Sequence, residues 1–271
     1  MEPINKKILF VGAGNMAFAI ASGLIKSNVT QAENILCFDI NKNAEIDFKN
    51  KLGVNSKQDL SDAVSFVDII FLSVKPQNIS EVLEAVKSFI NIKTLIISIA
   101  AGITTQFIEH YLGGEIPVVR VMPNTPALVL CAMSVLCKGK HACKKDVETA
   151  KILFDAIGKT EILEEKYFDA VTALSGSGPA YVFYLCELMQ KAGEKLGINA
   201  DISKNLAIQT IYGAGKMLSI SEDSPEILKE KVKSPKGTTE AALTVFKNAD
   251  FETIVANAMQ RAADRSRELR K

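Results

Sequence analysis

One segment near the start of the chain constrains its fold more than any other. The apolar run KKILFVG (6–12) passes directly into Gly12-Ala13-Gly14-Asn15-Met16-Ala17, and residues 15–27 then place Met16, Ile20 and Leu24 at helical spacing. A short continuous apolar run suits a strand buried on both faces, and the spacing that follows suits an amphipathic helix. Between them lies the pattern G-x-G-x-x-A. In a strand–turn–helix setting each of its small residues has a job. Gly12 permits a tight turn, Gly14 lets backbone approach a pyrophosphate, and Ala17 allows close packing of helix on strand. The first N–H groups of the helix then face the phosphates. The competing reading is a glycine-rich turn that holds no ligand.

The same alternation continues downstream. ILCFD (35–39), VDIIFLSV (67–74), TLIISIA (94–100) and VVRVM (118–122) read as strands. Residues 15–27, 41–52 and 78–90 read as helices, with a further strand near 132–138 and a helix at 144–157. Alternating strands and helices predict an α/β domain built on a parallel sheet. From Glu164 onward the periodicity is helical throughout, over 165–173, 179–195, 201–219, 224–231, 237–248 and 250–270. The expected organisation is a dinucleotide-binding domain of the Rossmann type over 1–163 and an all-helical domain over 164–271.

Composition narrows the function. Lys+Arg number 32 and Asp+Glu 31, for a net charge of +1, so nothing suggests a nucleic-acid partner. No apolar run reaches the length of a membrane span. Five cysteines with no leader-like opening read as reduced thiols, which places the protein in the cytoplasm. Cys131, Cys137 and Cys143 lie six apart with His141 beside the last, a spacing unlike common zinc sites, so no metal is expected. His110 and His141 are the only histidines, which weighs against a histidine base.

Several strand ends carry candidate residues, because ligands of open α/β sheets lie beyond the carboxyl ends of strands. Asp39 ends the second strand, 22 residues beyond Ala17. It can accept a hydrogen bond from a ribose 2′-hydroxyl and would repel a 2′-phosphate, which favours NADH; Lys42 could offset that repulsion, and a solvated strand-end acid is the plain alternative. Lys75, in Val74-Lys75-Pro76-Gln77, could meet ribose or phosphate, or be only a surface lysine. Ile99-Ala100-Ala101-Gly102 would let a flat ring lie close. Asn124 could bond a carboxamide or substrate. In the helical half, Ser175-Gly176-Ser177-Gly178-Pro179 and Ser234-Pro235-Lys236-Gly237-Thr238-Thr239-Glu240 both place small and hydroxyl residues before a helix, suiting either an anion or a helix cap. Tyr212 and Lys216 match the Y-x-x-x-K of short-chain reductases, but the glycine spacing here is different and the pair is read as coincidental.

Taken together, GAGNMA (12–17), VKPQ (74–77), SIAAGIT (98–104), VRVMPNTPA (119–127), ALSGSGPAYV (173–182) and SPKGTTEAAL (234–243) resemble the pyrroline-5-carboxylate reductases. The resemblance implies reduction of a cyclic imine carboxylate to proline with NADPH or NADH. It implies a helical domain that dimerises, in some members on the way to a decamer. Gly12, Asn15 and Met16 would hold the pyrophosphate, with Gly14 in close approach. Val74, Lys75, Pro76, Ala100 and Ala101 would line ribose and nicotinamide. Ser177, Gly237, Thr238 and Thr239 would face the substrate, with Thr239 and Ser177 as the catalytic candidates. Two departures stand out: Lys236 replaces a usual glycine, and Leu60 stands where an asparagine often meets the adenosine ribose. A 3-hydroxyacid reductase would want an asparagine and a lysine that SGSGPAYVFYL (175–185) does not offer. A non-catalytic dinucleotide sensor would need an output module, and none is evident.

Overall fold

The structure is a computed structural model that describes residues 4–57 and 59–270. Its elements begin with β1 (Ile8–Val11), α1 (Asn15–Lys26), β2 (Ile35–Phe38), α2 (Lys42–Leu52), β3 (Asn55–Ser56) and α3 (Leu60–Ser65). There follow β4 (Ile69–Leu72), α4 (Ile79–Val86), β5 (Leu95–Ser98), α5 (Thr105–Leu112), β6 (Val118–Met122), β7 (Ala132–Lys138), α6 (Lys144–Asp155) and β8 (Gly158–Ile162). The eight strands form one sheet in the order β3-β2-β1-β4-β5-β6-β7-β8. Pairing is parallel from β3 to β6, antiparallel between β6 and β7, and parallel again between β7 and β8.

The strand chemistry explains the sheet. All four residues of β1, β4 and β5 are buried, as strands covered by helices on both faces require. Side chains alternate between faces. Ile8 and Phe10 of β1 join one core with Ile20, Phe71 and Phe154, and the rings of Phe10 and Phe71 stack at 4.5 Å. Leu9 and Val11 join the other core with Leu72, Leu83 and Ile108. The expected strands and helices of this region are present, with four additions, one of them α5, which the Thr104 side chain caps. The two-residue β3 and the short α3 are too brief to leave a periodic trace. β8, GKTEI, is a largely exposed edge strand with a polar sequence, so it lacks the apolar run that marks the central strands. The antiparallel sense of β7 also departs from a wholly parallel sheet, and the short connection after β6 allows it.

After β8 every element is helical: α7 (Phe168–Val171), a π-turn at Thr172–Gly176, α8 (Gly178–Lys195), α9 (Ala200–Ile220), α10 (Pro225–Val232), α11 (Thr238–Asn248) and α12 (Phe251–Glu268). The chain forms two compact units. The first runs through Gly176 and regains the chain from Ala262; the second is Ser177–Arg261. Polar contacts tie the returning C-terminal residues into the first unit: Ser266 Oγ donates to Asp169 Oδ1 at 2.8 Å, and Arg270 pairs with the other Asp169 oxygen. Beside them buried Arg120 pairs with Glu165 at 2.9 Å and lies over the Phe168 ring. Glu165 also accepts from the Thr105 N–H and hydroxyl at 2.8 and 2.7 Å.

The second unit contrasts with the first. Of its residues only Ser203 and Ala207 are buried. Phe183, Tyr184, Tyr212 and Val245 are all more than 60% exposed. An apolar groove of about 420 Å³ runs along α8 and α12, lined by Tyr181, Leu185, Leu188, Ile254, Val255 and Met259 among others.

Candidate functional site

The sheet reverses its strand order at β1, whose neighbours are β2 on one side and β4 on the other. Such a switch point leaves a crevice at the carboxyl ends of the strands. Gly12 lies there with φ +104°, and a Cβ on it would meet Ser73 O at 2.7 Å. The turn is held from both sides. Gly12 N donates to Phe38 O at 2.8 Å, while Ser73 Oγ donates to Val11 O at 2.9 Å and Gly12 O at 2.7 Å. Gly14 has nothing within 4 Å of a notional Cβ. It precedes α1 in extended backbone, with no side-chain cap and no acid in the first turn. The N–H groups of Asn15 and Met16 are therefore offered to an anion. Open space over Gly14 and an uncapped helix start are what a pyrophosphate needs.

Asp39 sits beside this turn. Its Oδ2 accepts from Ala13 N at 2.7 Å and its Oδ1 from Asn41 N at 2.8 Å, so the acid is fixed against the glycine turn and not merely solvated. A carboxylate keeps further lone pairs for a ribose hydroxyl. Across the switch point, Val74 packs on the second core, exposed Lys75 precedes the short 3-10 turn Pro76–Asn78, and Asn78 N donates to Lys75 O at 2.9 Å. Ala100 is buried and Ala101 exposed at the end of β5. The next residue, Gly102, has φ +74°, and a Cβ there would meet Leu269 O at 2.8 Å. Asn124 is better explained as a strut than as a ligand contact: its Nδ2 donates to Ser175 O at 3.0 Å and its Oδ1 accepts from Met133 N at 2.9 Å.

The residues expected to face substrate fall in the second unit. Ser177 precedes α8, with Pro179 in the first turn and no side-chain cap. Gly237 precedes α11 in extended backbone, again without a side-chain cap. Gly237 N donates to Ser234 O at 2.9 Å, and Thr238 and Thr239 open the helix. Lys236 holds φ +58°, the region glycine favours, and its N–H donates to Glu240 Oε2 at 2.6 Å. Sequence reasoning missed Ser73 and Glu45. A serine closing the apolar run IIFLS was the available signal for Ser73. For Glu45 it was an acid on the same helical stripe as Phe48, since both are buried in α2.

A glycine turn, an open helix start and a strand-end acid at the switch point define a Rossmann-type dinucleotide-binding protein. Comparison with known proteins makes this particular. The family described as NADP oxidoreductase, coenzyme F420-dependent, matches residues 7–102, and the family described as pyrroline-5-carboxylate reductase dimerisation matches 165–269. Pyrroline-5-carboxylate reductase 2 of Bacillus subtilis is 38% identical over 98% of this chain and 95% of its own length. The Pseudomonas aeruginosa enzyme is 40% identical over 97% and 96%. Among solved structures, a pyrroline-5-carboxylate reductase from Coxiella burnetii superposes with a TM-score of 0.93 at 35% identity, covering 99% of this chain and all (100%) of its own. The Plasmodium falciparum pyrroline carboxylate reductase with NADP bound gives 0.88 at 31% identity, with 100% of both chains covered. This chain belongs to the pyrroline-5-carboxylate reductase family.

Proposed function

We propose that this protein reduces 1-pyrroline-5-carboxylate to L-proline, the last step of proline biosynthesis, using NADH or NADPH. The observation that carries the reading is the uncapped α1 start beside Gly14, at the switch point of the sheet, in a chain that aligns with these reductases end to end. Residues 1–163 form the cofactor half and 164–271 the substrate and assembly half. Gly12, Gly14, Asn15 and Met16 hold the pyrophosphate, and Asp39 the adenosine ribose. Val74, Lys75, Pro76, Ala100 and Ala101 line the rest of the cofactor. Its reduced nicotinamide supplies the hydride.

The substrate is an imine that carries a carboxylate. Backbone N–H groups at Thr238 and Thr239 hold that carboxylate at the positive end of α11, with Gly237 leaving the approach to them open. Thr239 Oγ bonds the ring nitrogen, and Ser177 lies on the same substrate. The protonated imine carbon accepts hydride without removal of any O–H proton, so no strong side-chain base is needed. What such a reaction asks of a protein is mainly alignment of the hydride donor with the imine carbon.

The chain also assembles into oligomers through its helical unit, as a homodimer or a multiple such as a decamer. An 85-residue unit (Ser177–Arg261) with two buried side chains has no core of its own, and apolar surface on this scale marks an interface. Among the described residues no helix is long and apolar enough to cross a membrane, and no cluster of His, Cys, Asp and Glu could hold a metal ion. The site of action is the cytoplasm. Loss of cofactor absorbance when purified protein meets 1-pyrroline-5-carboxylate is the expected result. Protein that binds NADH or NADPH yet leaves the imine untouched refutes the reading. A dilute monomer that keeps full activity in sedimentation and kinetic assays refutes the assembly.

A further inference from the structure

We infer that Glu45 and Asn41 make this chain select NADH over NADPH, by occupying in advance the groups that could bind a 2′-phosphate. The inference rests on the dinucleotide site proposed above and concerns only its adenosine end.

A 2′-phosphate at the end of β2 needs a cation or free N–H groups. Two such features are present, and both are already taken. Lys42 is the cation nearest in sequence to Asp39. Its Nζ pairs with Glu45 Oε2 at 3.0 Å and lies 4.7 Å from the centre of the Phe38 ring. The start of α2 is the second feature. There the Asn41 side chain accepts from Asn43 N at 3.1 Å and Ala44 N at 3.4 Å.

Burial makes the first lock hard to open. The Lys42 side chain is 55% exposed, but that of Glu45 is only 9% exposed. The same Glu45 Oε2 also accepts from Asp39 N at 3.0 Å. If Lys42 swung out to a phosphate, a buried carboxylate would be left with that one N–H. Because Glu45 is the buried member, removing its cation costs more than separating a pair exposed on both sides, though less than breaking a pair buried on both. Glu45 thus acts through two neighbours, holding Lys42 back and fixing the backbone of Asp39. What remains facing the ribose is the Asp39 carboxylate, oriented by Ala13 N and Asn41 N. It accepts a hydrogen bond from a 2′-hydroxyl and repels a 2′-phosphate.

The test is calorimetric titration with NADH and with NADPH at low salt, without substrate, beside kcat/KM for each. Wild-type protein should bind NADH at least about tenfold more tightly. Glu45→Gln keeps an acceptor for Asp39 N but removes the charge that holds Lys42. It should tighten NADPH relative to NADH by about tenfold, and adding Lys42→Ala should abolish that gain. Lys42→Ala alone should leave both affinities within about twofold. The inference is overturned if wild-type protein binds NADPH as well as NADH. It is equally overturned if Glu45→Gln folds and leaves the ratio unchanged, or if Lys42→Ala alone weakens NADPH selectively. The wild-type and Lys42→Ala titrations decide even if Glu45→Gln does not fold. Absence of binding by either cofactor would instead remove the dinucleotide site itself, and this inference with it.

Discussion

The two glycines of the nucleotide turn should fail in different ways when each is given a methyl group. Gly12 has φ +104°, and its Cβ would lie 2.7 Å from Ser73 O, 2.8 Å from Ser73 C and 3.0 Å from Val74 N. These are backbone atoms at the end of a buried strand and cannot rotate away. A residue forced into this backbone region costs about 1–3 kcal/mol. Overpacking against an unyielding neighbour costs about 1–3 kcal/mol more. Gly12→Ala should therefore lose about 2–6 kcal/mol, a large fraction of a typical domain's stability. At about 2–4 °C per kcal/mol for a chain of this size class, Tm should fall by about 4–24 °C. Gly14 is the opposite case. Its φ is −76° and nothing lies within 4 Å of a notional Cβ. Gly14→Ala should keep the parent Tm but lose cofactor affinity, because the methyl enters the space where the pyrophosphate approaches. Thermal unfolding by circular dichroism and calorimetric titration with NADH separate the two outcomes. Parent-like stability in Gly12→Ala would refute the close approach to β4. Parent-like NADH affinity in Gly14→Ala would refute its place at the pyrophosphate.

Three further outcomes are expected. Thr239→Ala should lower kcat more than it raises KM, by about tenfold if the hydroxyl only orients the nitrogen and by about 10²–10⁴-fold if it donates the proton, while Thr239→Ser keeps most activity; full kcat in Thr239→Ala would remove the residue from the chemistry. Lys236→Gly should raise Tm by a few degrees, since it relieves a positive φ of 58° worth about 1 kcal/mol, and an unchanged Tm in a thermal scan would show that the strain is absent. Burial pushes the thiols of Cys37 and Cys137 up to about 12, aided by Glu45 and Glu165 respectively, so these folded-state thiols stay protonated while unfolded ones ionise near 9.0. Their contribution to stability is therefore intact below pH 9 and is lost as pH rises toward 12; in a maleimide time course exposed Cys131 and Cys143 should react first, and equal rates for all thiols would contradict the burial.

What the sequence made legible is what depends on neighbours in the chain. The β1–turn–α1 unit is a local object: an apolar run, a glycine pattern and a helical stripe within residues 6–27. Strands β4 and β5 announce themselves because burial on both faces demands unbroken apolar residues. Asn124 reads from sequence as a contact to a carboxamide or substrate, and its structural role stays hidden for a non-local reason: its amide meets Ser175 O, 51 residues away, and Met133 N, and neither partner is visible from PNTP alone. The Asp39–Ala13 bond spans 26 residues for the same reason. The exposed apolar helices could have packed within one chain on periodicity alone. Only the folded second unit shows how much of their apolar surface it leaves uncovered by its own side chains.

The helix starts differ in how their first N–H groups are satisfied, and two of them share a feature that bears on the proposed chemistry. α2, α3, α5, α9 and α10 are each capped by a side chain, from Asn41, Asp59, Thr104, Asn199 and Ser224. α1 and α11 are not. Both begin after a glycine in extended backbone, Gly14 at φ −76°, ψ 177° and Gly237 at φ −84°, ψ 173°. A capping hydroxyl or carboxylate would use the same N–H groups that an anion would, so a start meant for a ligand is better left bare. The two bare glycine starts are those assigned to the pyrophosphate and to the substrate carboxylate. Binding both anions through main-chain donors suits a reaction whose carbon centre is already electrophilic. It requires fixed geometry and a source of one proton, and His110 and His141 need play no part in either.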